Sequence, residues 1–158
     1  MATTISIGIR VSPSVVYYSI LKELDEQIEF LVVDKLILPA ALSLPEQLKF
    51  IRNTFLDILR EFDVTVACIR VTESNAQSAH FGRIGIEAVI QELFASSSIE
   101  HYFVGVISSI SAKLGFNRDQ FKGYVTGTTN YENIEEWPDF KPESREALLA
   151  AFSALKLI

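Results

Sequence analysis

Apolar positions along the chain change period more than once, and each change marks a change of element. From Thr3 to Val11, Ile5, Ile7 and Ile9 alternate with small or polar partners, the two-residue period of a strand with one face on a core. Ser12-Pro13-Ser14 interrupts this run as a turn. Val15-Val16-Tyr17-Tyr18-Ser19-Ile20-Leu21 resumes with β-formers, and beyond the polar stretch Lys22 to Gln27 a third β-rich run covers Ile28 to Leu38. Two short connections make these three strands an antiparallel meander. From Leu44 the period lengthens: Leu44, Leu48, Ile51, Phe55, Ile58, Leu59 and Phe62 recur at three- and four-residue spacing, one apolar face of a helix. Ser43 stands as its N-cap with Glu46 at the capping-box position, and Pro45 lies in the first turn, where a missing N–H does no harm.

Val64 to Val71 is a continuous apolar run, the pattern of a strand buried on both faces. A second helix is predicted from near Ala76 to Phe94, a fifth strand over Ile99 to Ile107, and a short helix over Ser108 to Leu114. Gly115 to Lys141 is polar and Gly-containing and gives no clear period; a final helix, Pro142 to Leu157, carries Leu148, Leu149, Phe152 and Leu155. The order β-β-β-α-β-α-β-α-α predicts an α/β fold. Its sheet is mixed and five-stranded, a meander followed by parallel strands, with helices on its faces, which is the ribonuclease H-like arrangement. No repeat, low-complexity tract or linker divides residues 1–158, so one domain is expected.

Composition narrows the function classes. A chain of 158 residues that is 49% hydrophobic needs no disulfide or metal to hold a core. The single cysteine, Cys68, has no partner for an internal disulfide. A formal charge of −6 weighs against a generic polyanion binder, since phosphate-backbone affinity comes from clustered Lys and Arg, and here the basic residues are scattered. No basic segment followed by an apolar one opens the chain, and no uncharged run of eighteen occurs, so a cytoplasmic location without membrane contact is expected.

Three stretches resemble the RuvC family of Holliday-junction endonucleases, a branch of the ribonuclease H-like superfamily. Ile5-Ser6-Ile7-Gly8-Ile9-Arg10-Val11-Ser12 is similar to the family's opening strand, which ends Gly-Ile-Asp-Pro-Gly. Leu44-Pro45-Glu46-Gln47-Leu48-Lys49-Phe50-Ile51, with Ile58, Phe62 and the strand ending Ile69-Arg70, is similar to its first helix and the strand that ends Ile-Glu. Asn75-Ala76-Gln77-Ser78-Ala79, with Gly82 and Gly85 beyond, resembles the start of its second helix. The likeness covers about residues 5 to 114, with a fainter match over 142 to 152.

The resemblance implies four carboxylates holding two divalent metal ions, which activate water and stabilise the leaving oxygen. At the first of those positions this chain has Arg10, and at the second Arg70; the last-helix pair aligns with Glu143 and Glu146. A guanidinium has donors but no acceptor and cannot coordinate a cation. An Arg–Glu cluster of Arg10, Arg70, Glu143 and Glu146 is therefore expected where metals would sit, with no cofactor. Three further readings stay open, the first that both arginines are simply solvated side chains at strand ends. The arginine pair can take an anion, or Glu73 can join Glu143 and Glu146 as a three-carboxylate site for Mg²⁺ or Mn²⁺ in a divergent nuclease. The two histidines, His80 on a helix and His101 at a strand start, lack ligand spacing, and Cys68 reads as a small buried hydrophobe. Trp137, among acids between Tyr131 and Asp139, reads as a solvated loop residue or an exposed anchor for a protein partner.

The function expected is that of a catalytically degenerate RuvC-like domain working as an interaction or regulatory module. It would have a protein partner and pair with a second copy through a strongly apolar long helix. The alternatives are a metal-dependent DNA nuclease and a DNA-binding pseudo-nuclease.

Overall fold

The computed structural model describes residues 2–76 and 80–158. Five strands, β1 (Thr4–Val11), β2 (Val15–Leu24), β3 (Gln27–Ile37), β4 (Val66–Arg70) and β5 (His101–Gly105), form one sheet in the order β3-β2-β1-β4-β5. β1, β2 and β3 pair antiparallel, and β4 and β5 add in parallel. The helices are α1 (Leu44–Glu61), α2 (Phe81–Ser96), α3 (Ile107–Leu114), α4 (Arg118–Thr126) and α5 (Pro142–Ala154). This is the mixed, helix-flanked sheet predicted from the periodicity.

The strand alternation sorts side chains onto two cores. Ile7, Ile9 and Val11 of β1, with Ala67 and Ile69 of β4, pack on Ile51, Phe55 and Leu59 of α1 and on Ile86, Ile90 and Leu93 of α2. On the other face Leu21, Val66 and Cys68 pack on Leu148, Leu149, Ala151 and Phe152 of α5. Residues 145–154 of α5 are buried on every side, which a helix can sustain only by meeting close neighbours. Gly8 supplies the closest: a Cβ there would lie 2.0 Å from the Ala147 carbonyl oxygen and 2.3 Å from the Ala151 nitrogen. The Ser19 hydroxyl donates to the same Ala147 oxygen at 2.9 Å.

Several boundaries move from their sequence-based positions. Lys22 to Leu24 belong to β2, paired with Gln27 to Glu29 across a two-residue turn in which Asp25 and Glu26 have φ of 53° and 64°. The stretch is polar because the hairpin end reaches solvent, not because it is a loop. The second helix starts at Phe81 rather than near Ala76, and residues 77–79 of the predicted start lie outside the described residues. His80 is its N-cap rather than a helical residue: Nδ1 accepts from the Arg83 N–H at 3.1 Å. β4 and β5 are shorter than predicted, and the last helix becomes a 3₁₀ turn over Leu155–Leu157.

The segment without a clear period, 115–141, holds α4 and two 3₁₀ turns, Tyr131–Asn133 and Trp137–Asp139. Trp137 is fully buried, so the exposed anchor expected there is corrected. Its ring packs near Tyr131 and Phe140, and Nε1 donates to the Tyr124 carbonyl at 2.8 Å. Arg145 of α5 fastens the segment. Nε donates to the Trp137 carbonyl at 3.1 Å, Nη1 to Val125 at 2.8 Å and Nη2 to Pro138 at 2.9 Å.

Candidate functional site

Period-two alternation places Arg10 with Gly8 and Arg70 with Cys68, on the face covered by α5. Arg10 and Arg70 are direct register partners at the C-terminal ends of the parallel pair β1 and β4. α5 brings Glu146 over them. Arg10 Nε donates to Glu146 Oε2 at 2.5 Å, and Arg70 Nε lies 3.4 Å from Oε1. The second contact is an ion pair by distance but is not aligned as a hydrogen bond, and Arg70 Nε is buried without a hydrogen-bond partner. Each guanidinium also turns Nη1 back to the carbonyl of the next residue, Val11 and Val71 respectively. The three side chains are 16%, 7% and 10% exposed for Arg10, Arg70 and Glu146, so this is a largely desolvated cluster.

The other predicted members lie apart. Glu143, one turn before Glu146, is half-buried and forms no ion pair or hydrogen bond with Arg10 or Arg70 among the described residues. Glu73 accepts from the Ile107 N–H at 3.2 Å and stands 3.8 Å from Arg118 Nη2. It thus neutralises the start of α3, where free backbone N–H groups favour a carboxylate. Glu73, Glu143 and Glu146 are not brought together as a three-carboxylate site. Among the described residues no group of three or more His, Cys, Asp or Glu side chains is placed to hold a metal ion.

Two residues outside the expected set, Arg83 and Glu87, extend the cluster. Glu87 of α2 is buried and accepts from the Thr72 N–H and hydroxyl, both at 3.0 Å, and from Arg83 Nε at 3.0 Å. Burial pushes the proton affinity of Arg83 down; the nearby positive charges of Arg10 and Arg70 act in the same direction, and Glu87 opposes them. The signal available in the sequence was the i, i+4 spacing of Arg83 and Glu87 on a helix that starts just beyond β4. Cys68 is buried, and burial pushes its thiol up to about 12, which suits packing and not nucleophilic attack. A groove of about 610 Å³, lined in part by Glu23, Phe30, Tyr131 and Phe152, opens at the opposite end of the sheet and shares no residue with the arginines.

The donor set does not fit the two divalent ions that the sequence resemblance implies. Guanidinium nitrogens carry no lone pair for a cation, and both oxygens of Glu146 already face guanidinium groups. What this arrangement can do chemically is hold two strands and a helix together by charge.

The architecture is that of a RuvC-like, ribonuclease H-like protein. RuvC of Thermus thermophilus has a TM-score of 0.71 to this chain at 9% identity, covering 97% of this chain and 94% of that one. The same organism's RuvC in complex with Holliday junction substrate gives 0.70 at 9% identity, covering 97% and 93%. Fowlpox virus resolvase in complex with substrate Holliday junction DNA gives 0.55 at 12% identity, covering 98% and 99%. The likeness lies in the fold. No protein-family model and no curated protein matches the chain in sequence.

Proposed function

We propose that residues 1–158 form one RuvC-like domain in which internal ion pairing has replaced metal-dependent strand cleavage, and that it acts in the cytoplasm as an interaction or regulatory module. One observation carries this reading: Arg10 and Arg70 stand in register at the strand ends with Glu146 closed between them. A carboxylate held by two guanidinium groups is neutralised where a nuclease of this fold needs free oxygens. The partner in this reading is a protein, including a second copy of the chain; Phe81 and Ile84, exposed at the start of α2, offer apolar area for it. No helix of the described residues is long and apolar enough to cross a membrane.

The test is incubation of the protein with four-way-junction and single-stranded DNA in Mg²⁺ or Mn²⁺. No cleavage is expected. Metal-dependent cleavage that disappears in Glu146→Ala would establish the divergent nuclease instead.

A second reading, a pseudo-nuclease that binds DNA without cutting it, draws support from the two neighbours in complex with Holliday junctions. The formal charge of −6 weighs against it. A gel-shift titration with junction DNA at low salt separates the two: retention that weakens steeply with added salt supports the DNA binder, and none supports the protein-interaction module.

A further inference from the structure

We propose that the outward edges of Arg10, Arg70 and Arg83 form a binding site for a terminal phosphate group, gripped directly by guanidinium N–H donors. The proposal deepens the reading above, since it rests on arginines, not metal ions, governing this end of the sheet. Glu146 engages only the Nε edges of Arg10 and Arg70, and the Nη1 groups fold back onto Val11 and Val71. The same fold-back on adjacent parallel strands, about 4.8 Å apart, sets the two guanidinium groups side by side. Their Nη2 groups, and both terminal nitrogens of Arg83, have no acceptor among the described residues.

Charge points the same way. Three guanidinium groups pair with two carboxylates, Glu146 and Glu87, an excess of one positive charge before Glu143 is counted, in a chain whose formal charge is −6. The closeness of the cations is also felt by Arg83, whose proton affinity Arg10 and Arg70 both lower. Glu143, one turn away on α5, is the carboxylate an arriving anion must approach. Adjacent planar forks match the oxygens of a tetrahedral phosphate. The site also lies beyond the C-terminal ends of parallel strands, where α/β sheets receive ligands. The side chains are recessed, with Arg83 18% exposed and Arg70 7%. A protruding phosphate monoester reaches such groups; a phosphodiester flanked by two sugars is held at the rim.

The test is calorimetric titration of the whole chain with inorganic phosphate at low ionic strength, with chloride as control, alongside NMR of the arginine Nε–H signals. Saturable binding is expected, with shifts at Arg10 and Arg70, and Arg83→Gln should weaken it about tenfold through loss of charge-assisted hydrogen bonds. Arg83→Gln is the variant of choice because Glu87 keeps its Thr72 donors, and a circular-dichroism spectrum matching the parent's shows that the variant is folded. A nucleoside monophosphate and oligonucleotides with and without a 5′-phosphate identify the source. Preference for the 5′-phosphorylated strand over inorganic phosphate assigns a nucleic-acid end, and equal binding of the small phosphates assigns a free metabolite. No saturable binding of any phosphate, or unchanged affinity in Arg83→Gln, overturns the phosphate site while leaving the metal-free reading intact. Binding of Mn²⁺ that depends on Glu146 overturns both.

Discussion

The guanidinium of Arg145 fills the space that a side chain at Gly127 would need. A Cβ at that position would come within 2.9 Å of Arg145 Nη1, and Gly127 itself has a φ of +83°, which L-residues rarely adopt. Glycine is required there twice over, once by the backbone and once by the arginine. Arg145 is buried and its three bonds all go to backbone carbonyls. Arg145→Met leaves those acceptors without their donors, and a loss of about 3–5 kcal/mol in urea denaturation is expected. Gly127→Ala should cost about 1–3 kcal/mol from the left-handed backbone and the displaced guanidinium. A loss in Arg145→Met of under about 1 kcal/mol would show that water satisfies the carbonyls equally well.

Removing one member of the strand-end cluster should be worse than removing all of it. Glu146→Ala leaves two guanidinium groups side by side and largely desolvated, and a loss of about 3–5 kcal/mol is expected. The triple variant Arg10→Met, Arg70→Met, Glu146→Leu should return to within about 1 kcal/mol of the parent or exceed it. Chemical denaturation of the two variants checks the order. If the triple variant is the weaker, the ion pairs contribute more to stability than apolar packing can.

Gly8→Ala should be among the most damaging single-methyl additions available. The added carbon meets α5 backbone atoms, which cannot rotate away, so helix and sheet must separate. A loss of about 3 kcal/mol or more is expected, above the ordinary range for overpacking, with reduced near-ultraviolet dichroism. Gly85→Ala is the control, because its new methyl would meet only Leu48 at an ordinary 3.8 Å.

Alkaline pH should unfold the protein through two buried acids. Burial raises the Cys68 thiol from 9.0 to about 12. Burial, and then the charge of Glu132, raise the Tyr131 phenol above its usual 10.0. A raised folded-state value means the folded form holds its proton more tightly than the unfolded chain does. The corresponding stability is complete below about pH 9 and is lost as pH rises through the folded-state values. Melting temperature should therefore fall from about pH 9 upward, and Cys68→Ala should blunt the first part of that fall. An unchanged slope in Cys68→Ala would locate the effect elsewhere.

What could be read from the sequence was what local chemistry determines. Ser43 and Glu46 announced α1, and the structure pairs them, the Ser43 N–H and hydroxyl donating to Glu46 Oε1 at 3.0 and 2.6 Å. The alternation of β1 and β4 put Arg10 and Arg70 on the α5 face, so their meeting with Glu146 followed once the sheet order was known. Asp25-Glu26 escaped notice because a two-residue turn with positive φ ordinarily carries Asn or Gly. Glu143 enters the expected cluster through the resemblance, which aligns it with Glu146 as a pair, yet residues three apart on a helix share a face without sharing a depth. Arg145 and Trp137 are the least legible. Arg145 lies in line with Leu148, Leu149 and Phe152 at helical spacing, and a charge within an apolar stripe was the one mark of its buried role.

The contact of α5 with Gly8 and Ser19 joins the first part of the chain to nearly its last, with Ser19 bonded to a residue 128 positions away. At about 5–20 residues per second, translation takes roughly 6–25 s to cover that interval. Until then the central strands have that apolar face largely uncovered, since α3, the earlier helix on it, packs against β5. The nascent chain thus keeps an apolar sheet face open over most of this interval, and the face closes only when α5 arrives.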